Sequence, residues 1–302
     1  MDSGLLSFYL ENLDYNNMPT FLVKYLNVPC LIRLKHIGYF CGMDYASKEI
    51  YNFKEHITRF DHSLTVALLT WKCTKDKKAT LAGLFHDVAT PCFSHVIDYM
   101  NKDYATQEST EEYTEQILKK DMYLAECLAY DDISIEDIID FKKYSIVDNE
   151  RPKMCADRLD GVILTGISWT KNINHKDIKN IVNDIEIYNN EIGFKTTSIA
   201  SKVLEVNNSI DIYCHSKEDN YMMELLANIT KYCIDNNYIT YEELYTLGEA
   251  DLISKLKNID DDNLTTYFYR FENIGYNEIP QIDIPNVKIR ELNPLVQGKR
   301  LK

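Results

Sequence analysis

Two apolar stripes separated by a short polar turn constrain the fold of this chain more than any other feature. Each stripe follows the i, i+3, i+4, i+7 spacing that places side chains on one face of a helix. The first contains Leu64, Ala67, Leu68 and Trp71, and the second contains Leu81, Leu84, Phe85 and Val88. The polar residues 75–78 lie between them, so the pattern predicts two packed helices joined by a turn.

Helical signals extend from about residue 18 to about residue 257. Helix starts of the Ser/Thr-x-x-Asp/Glu kind occur at Ser109, Ser134 and Thr240, and an apolar stripe predicts a helix from about Pro152 to Trp169. Beyond Asp262 the sequence is rich in aromatic and β-branched residues and is broken by Pro and Gly, which favours short strands. We expect a mainly α fold, with a helical domain over residues 1–262 and a small β-containing appendage over 263–302 packed on it.

The charge and the cysteines narrow the class of protein. The formal net charge is -14 with acidic residues spread along the chain, which disfavours stable binding to nucleic acid. A small phosphorylated molecule can still bind where Lys and Arg gather in a cleft. Eight cysteines without a C-x-x-C pair are typical of free thiols in a reducing compartment. No secretory signal and no apolar run of roughly 20 residues is present, so a cytoplasmic protein without a membrane partner is expected.

Four short motifs carry residues suited to metal chemistry. They are RFDHSL with Arg59 and His62, FHDV with His86 and Asp87, PCFSHVID with His95 and Asp98, and ADRLDG with Asp157, Arg158 and Asp160. Imidazole and carboxylate ligands without thiolate suit one divalent ion such as Mn, Fe, Co, Ni or Zn. Four protein ligands leave positions open for water and a phosphate oxygen, which indicates a catalytic site and favours phosphoester hydrolysis.

The order and spacing of these motifs resemble those of the HD-domain metal-dependent phosphohydrolases, in the branch that contains the deoxynucleoside triphosphate triphosphohydrolases. The resemblance covers nearly the whole chain, because it begins at RLKHI (33–37) and returns at LGEADLISKLKN (247–258) and KIRELNPL (288–295). It implies an HD-domain helical bundle, a bound divalent ion and self-association into a homo-oligomer.

The resemblance also implies roles for matched residues. The four metal-ligand positions of the family fall on His62, His86, Asp87 and Asp157. Positions that bind substrate phosphates fall on Arg59 and Arg158, and an acidic position near the pocket falls on Glu108. A histidine and its carboxylate partner, thought to protonate the leaving oxygen, fall on His95 and Asp98.

The chain departs from the family pattern at four pocket positions. Thr90 stands where many members have another active-site histidine, and Gln107 replaces a further histidine. Tyr39 replaces a glutamine that helps the triphosphohydrolases recognise the sugar, and Gly161 stands where relatives carry a tyrosine. Tyr39 is kept as a candidate substrate contact. Triphosphate cleavage and deoxyribose preference therefore stay open, and a relaxed choice of sugar is expected.

Each candidate also has a structural alternative. The four ligand residues could form a buried polar network, Arg59 could pair with Asp61 or another nearby acid, and Arg158 could be solvated or could pair with Asp98 or Asp160. His95 could be a core histidine bonded to Asp98, and Asp160 is expected to orient a ligand instead of binding metal. The leading hypothesis is a nucleotide phosphohydrolase with a deoxynucleoside triphosphate as the first substrate and a nucleoside monophosphate or other phosphoester next. The alternative is a nucleotide-binding sensor or assembly module without turnover.

Overall fold

A computed structural model describes residues 4–107, 113–283 and 286–301. In chain order the helices are α1 (Leu5–Asn12), α2 (Thr20–Tyr25), α3 (Pro29–Ile32), α4 (Arg59–Thr74), α5 (Lys77–Phe85), α6 (Val96–Met100), α7 (Thr114–Lys120), α8 (Met122–Tyr130), α9 (Glu136–Ile139), α10 (Ala156–Ser168), α11 (His175–Asp184), α12 (Thr197–Cys214), α13 (Lys217–Asp235), α14 (Glu243–Thr246), α15 (Glu249–Lys257) and α16 (Asp262–Asn273). The strands are β1 (Ile185–Tyr188), β2 (Glu191–Phe194), β3 (Leu295–Val296) and β4 (Lys299–Arg300). The expected mainly α fold with a small β component near the C-terminus is confirmed.

The two helices expected from the apolar stripes are α4 and α5, which pack against each other. Thr58 caps α4 in a capping box: the Asp61 N–H donates to its hydroxyl at 3.2 Å, and its own N–H donates to Asp61 Oδ2 at 2.8 Å. Lys75, in the left-handed conformation with φ 56°, ends α4, and Asp76 caps α5. Local sequence therefore fixes both ends of the turn that brings the two helices together.

Helix α10 packs on α4 and on α12, and its first turn faces the start of α4. Leu159 and Val162 are buried along this side, as the stripe predicted. Gly166 allows the close approach of α12, because a Cβ there would lie 2.6 Å from Ile173 Cδ1 and 3.0 Å from Val206. The packing brings the acidic start of α10 to the residues that begin α4.

The sheet joins distant parts of the chain. Strands β1 and β2 form an antiparallel hairpin within a region that the sequence pattern predicted as helical, and their turn residues Asn189 and Asn190 have positive φ. Strand β3 adds to β2 in parallel and β4 pairs antiparallel with β3. The C-terminal strands therefore extend a sheet that begins about a hundred residues earlier, and the domain division at residue 262 stays a prediction.

One prediction about the C-terminal region is wrong. The stretch after Asp262 that was expected to form strands begins with α16, capped by Asp261, whose side chain accepts from the Leu264 N–H at 2.8 Å. Leu264, Phe268 and Phe271 are buried at helical spacing. Burial of this stripe outweighs the strand preference of the aromatic and β-branched residues around it.

The segment after α16 crosses the body of the protein before it enters β3. The Lys288 N–H donates to the Tyr104 carbonyl at 3.0 Å, the Asn293 N–H to Pro152 at 2.8 Å, and the Gln297 N–H to Phe194 at 3.1 Å. The helix starts expected at Ser134 and Thr240 precede α9 and α14, whereas Ser109 lies outside the described residues. In the described part of the chain, no helix combines the length and the apolar character that crossing a membrane requires.

Candidate metal centre and adjoining cleft

Four side chains from three places in the fold converge on one point. His62 comes from the first turns of α4, His86 and Asp87 directly follow α5, and Asp157 lies in the first turn of α10. Nε2 of His62 lies 3.1 Å from Asp157 Oδ1 and 3.8 Å from Asp87 Oδ2. Nε2 of His86 lies 3.6 Å from Asp157 Oδ1 and 3.7 Å from Asp87 Oδ1. The structure thus brings together the four residues that the sequence singled out as ligands.

A hydrogen bond at Nδ1 fixes the orientation of each of the two imidazole rings. Nδ1 of His62 lies 2.7 Å from Oδ2 of the fully buried Asp160, whose other oxygen accepts from the Tyr9 hydroxyl at 2.7 Å. Nδ1 of His86 donates to the Gly83 carbonyl at 2.8 Å. These contacts direct the two Nε2 atoms toward the centre, which is how metal-binding histidines are usually held.

The donor set fits a divalent transition-metal ion. Within the described ranges, Nε2 of His86 is buried and has no hydrogen-bond partner. A buried polar atom without a partner is costly, so such an arrangement indicates a ligand. Two imidazole nitrogens and two carboxylates, with no thiolate among them, are donors that Mn, Fe, Co, Ni and Zn accept.

The electrostatics of the centre keep its carboxylates charged. Burial raises the pKa of Asp87, but the charges of His86 and Arg59 outweigh this effect and hold it at about 2. Burial lowers the pKa of His62, but its hydrogen bonds to Asp157 and Asp160 raise it to about 10. The negative field of the carboxylates attracts either protons on the histidines or a cation, so metal binding at this centre is expected to compete with protonation.

Arg59 forms a salt bridge with Asp87, a nearby acid, whereas Asp61 is occupied in the helix cap. Its NH1 donates to Asp87 Oδ2 at 2.9 Å, and its guanidinium lies 5.0 Å from the centre of the Tyr39 ring. Nε of Arg59 is buried and, in the part of the chain that is described, has no partner. Arg59 lines the cleft with His86 and Asp87, and its role in substrate binding stays a prediction.

Tyr39 and Gly161, two departures from the family pattern, are in contact. The hydroxyl of Tyr39 lies 3.1 Å from the point that a Cβ on Gly161 would occupy, and its ring centre is 5.1 Å from that of His62. A tyrosine at position 161 would need the space that the Tyr39 side chain fills. The two departures are therefore linked in space. Tyr39, from the segment before α4, lies where a side chain at position 161 would extend.

His95 lines the same cleft as Arg59, His86 and Asp87. Its Nδ1 is 2.8 Å from Asp98 Oδ2, and its side chain is 34% exposed, whereas that of Asp98 is fully buried. The preceding residues Phe93 and Ser94 have positive φ of 66° and 46°. This geometry leaves one face of the ring open to a substrate while Asp98 holds the other edge.

Glu249 supports the turn before His95 and was not singled out from the sequence. Its Oε1 accepts from the Phe93 N–H and its Oε2 from the Gly38 N–H, both at 3.0 Å. Burial raises its pKa to about 7, although the two backbone N–H groups act in the opposite direction. Its place in the LGEADL motif was the available signal, but nothing local indicates which backbone groups the carboxylate binds.

The cleft beside the four ligand residues has a volume of about 50 Å³. Its described lining residues are Arg59, His86, Asp87, Ala89, Thr90, Ser94, His95, Gln107 and Thr114. Neither Ser94 nor Thr114 was predicted as a site residue from the sequence. Proximity to His95 could have indicated Ser94, and no local signal indicated Thr114.

Two predicted substrate contacts, Tyr39 and Arg158, are absent from the described lining. Arg158 donates from NH2 to Asp148 Oδ1 and from NH1 to the Lys153 carbonyl, both at 2.8 Å, so its partner is neither Asp98 nor Asp160. Phosphate contact by Arg158 would require these donors to be released, and it stays a prediction. Glu108 lies outside the described residues.

Comparison with known proteins finds a family match over the part of the chain that contains these residues. The HD domain family matches residues 59–162, a range that includes all four ligand residues. The uncharacterized protein YdhJ of Bacillus subtilis is 32% identical over 113 residues, which are 36% of this chain and 33% of YdhJ. The metal-dependent phosphohydrolase cns2 of Cordyceps militaris is 21% identical over 252 residues, which are 79% of this chain and 70% of cns2. The crystal structure of a hypothetical protein from Aquifex aeolicus shares the fold, with a TM-score of 0.59, 20% identity and coverage of 84% and 71% of the two chains.

Proposed function

We propose, from the premise that the chain belongs to the HD-domain phosphohydrolases, that it hydrolyses a phosphoester of a nucleotide with the help of one divalent ion. The main support is the convergence of two oriented imidazole nitrogens on two charged carboxylates. His62, His86, Asp87 and Asp157 would hold the ion, which could be Mn, Fe, Co, Ni or Zn. When bound, such an ion supplies Lewis acidity, which polarises phosphoryl oxygens and makes water more acidic.

In this proposal Arg59 binds the phosphoryl group, and His95, held by Asp98, protonates the leaving oxygen. Arg59 offers its free Nε–H to a phosphoryl oxygen, and its salt bridge to Asp87 keeps the guanidinium in place. His95 holds a proton near the leaving oxygen, because an alkoxide leaves poorly at neutral pH without protonation. Asp98 fixes the ring of His95 through Nδ1, so that Nε2 is free to act in the cleft.

The identity of the nucleotide rests on weaker support. The family resemblance suggests a deoxynucleoside triphosphate as the first substrate and a nucleoside monophosphate or another phosphoester next. Tyr39 presents an aromatic ring where a glutamine would bind the sugar, which supports a relaxed sugar preference. Assembly into a homo-oligomer is part of the same proposal and rests on the resemblance.

A second candidate is a nucleotide-binding sensor or assembly module that does not turn its ligand over. It is favoured by Thr90 and Gln107, because both line the cleft at positions where related enzymes have histidines. Binding of a nucleotide without turnover would support this candidate.

The experiment that tests the proposal is a hydrolysis assay on metal-depleted protein reloaded with Mn, Fe, Co, Ni or Zn. Nucleoside mono-, di- and triphosphates are supplied, and the products are separated by chromatography. Turnover should require the ion and should disappear in His86→Ala, while His56→Ala, which removes an exposed histidine outside the site, should match the wild type. Absence of turnover with every ion and every nucleotide would overturn the proposed function.

A further inference from the structure

Two hydroxyl groups in the cleft are buried without a partner. Ser94 is 2% exposed and Thr114 is 7% exposed, and in the described ranges neither hydroxyl makes a hydrogen bond. Both residues line the cleft that Arg59 and His95 also line. A buried hydroxyl usually finds a partner because leaving it unpaired costs free energy. Two such groups in one cleft indicate a ligand with hydrogen-bond acceptors.

The backbone around Ser94 supports the same conclusion. Phe93 and Ser94 both have positive φ, a conformation that is unfavourable for residues other than glycine and is concentrated at functional sites. Glu249 stabilises this turn by accepting the Phe93 N–H at 3.0 Å. The turn presents the Ser94 hydroxyl and the His95 ring together.

The charge of the cleft limits the ligand. Among its described lining residues Arg59 is the one arginine, and none is a lysine. Asp87 and Asp157 offset the charge of a divalent ion, which leaves the positive charges of Arg59 and, when protonated, His95. A phosphomonoester carries roughly two negative charges at neutral pH, and a triphosphate about twice as many. Arg158, which could add a cation, is engaged by Asp148.

We infer that the cleft is built for a single phosphoryl group, that the substrate is a phosphomonoester such as a nucleoside monophosphate, and that Ser94 and Thr114 donate hydrogen bonds to its terminal oxygens. This inference rests on the proposed function and names its substrate class. The cleft is small, about 50 Å³, and its described lining offers one arginine and two unpaired hydroxyls, a set of donors that suits one phosphoryl group.

The reaction is a hydrolysis that needs water alone as co-reactant. The water oxygen forms a bond to phosphorus as the ester P–O bond breaks, and the bond pair stays on the leaving oxygen. That oxygen takes the proton from His95, and the proton lost by the attacking water passes to solvent, from which His95 is reprotonated. The products are inorganic phosphate and an alcohol.

Binding of inorganic phosphate to the metal-loaded protein, measured by titration calorimetry, tests the two hydroxyls without turnover. Ser94→Ala and Thr114→Val should each weaken binding by about tenfold, the effect expected for one hydrogen bond to a charged acceptor. Thr114→Ser keeps the hydroxyl and should retain most of the affinity. Thr70→Val, which removes another buried and unpaired hydroxyl on α4 away from the cleft, should leave affinity unchanged. Unchanged affinity in both Ser94→Ala and Thr114→Val would overturn the assignment.

Hydrolysis rates separate this inference from the function on which it rests. The wild type should turn over a nucleoside monophosphate with a kcat/KM at least about a hundredfold above that for the triphosphate, with inorganic phosphate as product. Preferred release of triphosphate from a nucleoside triphosphate would overturn the single-phosphoryl inference while the hydrolase stands. Lack of turnover with every ion would overturn the proposed function itself.

Discussion

The two walls of the cleft are each supported by a buried carboxylate, but they differ in what they leave unpaired. The metal-ligand wall comprises the four residues proposed to hold the ion, His62, His86, Asp87 and Asp157. There Asp160 is hydrogen-bonded to His62, the Gly83 carbonyl accepts a hydrogen bond from His86, and Arg59 donates one to Asp87. On the wall that carries His95, Ser94 and Thr114, called here the His95 wall, Glu249 holds the turn before Ser94. The hydroxyls of Ser94 and Thr114 nevertheless stay unpaired in the described part of the chain. We therefore expect the first wall to hold an ion and the second to bind a group that enters and leaves.

The largest expected effect separates the walls by metal content. Wild-type protein should carry close to one transition-metal ion per chain, and His86→Ala and Asp87→Ala should each lose it while staying folded, because each removes a ligand from a four-ligand site. Ser94→Ala, on the His95 wall, should keep its ion. Elemental analysis combined with circular dichroism measures both properties, and full occupancy in the two ligand variants would remove the distinction between the walls.

The next effect concerns the rate of catalysis and the role of His95 on the His95 wall. His95→Gln should lower kcat by about 10² to 10⁴, or roughly 3 to 5.5 kcal/mol of barrier, since it removes the proton donor for the leaving oxygen. Metal content and thermal stability should stay near those of the wild type. A kcat within about threefold of the wild type, or a loss of stability with unchanged kcat, would show that His95 is a structural residue.

A smaller effect is expected behind the metal-ligand wall. Asp160→Asn should weaken metal affinity by about 10- to 100-fold, because an amide no longer provides the charged acceptor that orients His62. Tyr9→Phe removes the hydrogen bond to the other oxygen of Asp160 and should have a weaker effect in the same direction. Competition with a metal-binding dye measures both affinities. Equal affinities in wild type and Asp160→Asn would mean that packing alone orients the ring.

The smallest effect is a pH dependence of stability that arises from Glu249, which supports the His95 wall. Burial raises the pKa of Glu249 to about 7, above its value in the unfolded chain, so the folded state binds more protons between these two values. The contribution of Glu249 to stability is full at low pH and is lost as pH rises through about 7. Between about pH 6 and pH 8 the unfolding free energy of the wild type should fall by about 1 kcal/mol relative to Glu249→Gln. Urea denaturation of both proteins at the two pH values measures this difference, and parallel pH profiles would contradict it.

Local patterns were enough to predict the helices that carry the metal-ligand wall. The stripes of α4 and α5 and the residues at their ends lie within about thirty positions of one another, so periodicity and capping describe them. The contact between Tyr39 and Gly161 and the support of Phe93 by Glu249 join residues more than a hundred positions apart. Such contacts depend on tertiary packing, which one sequence does not display.

The same limit explains the errors outside the site. In α16 the aromatic and β-branched content favoured strands, and only the burial of Leu264, Phe268 and Phe271 on one face decides for a helix. The parallel pairing of β2 with β3 could not be predicted, because each strand is short and its partner is remote in the chain. Thr114 reaches the cleft from a helix that carries none of the recognised motifs.

The path of residues 286–301 across the body has a consequence for the timing of biosynthesis. A polypeptide leaves the ribosome from its amino end, so residues 59–162 are released well before the segment that bonds to Tyr104, Pro152 and Phe194. We expect the metal-ligand wall to mature first. The loop that leads to Gln107 gains its backbone bond from Lys288 only after nearly the whole described chain has emerged, so a nascent protein should acquire its ion before its substrate cleft is complete.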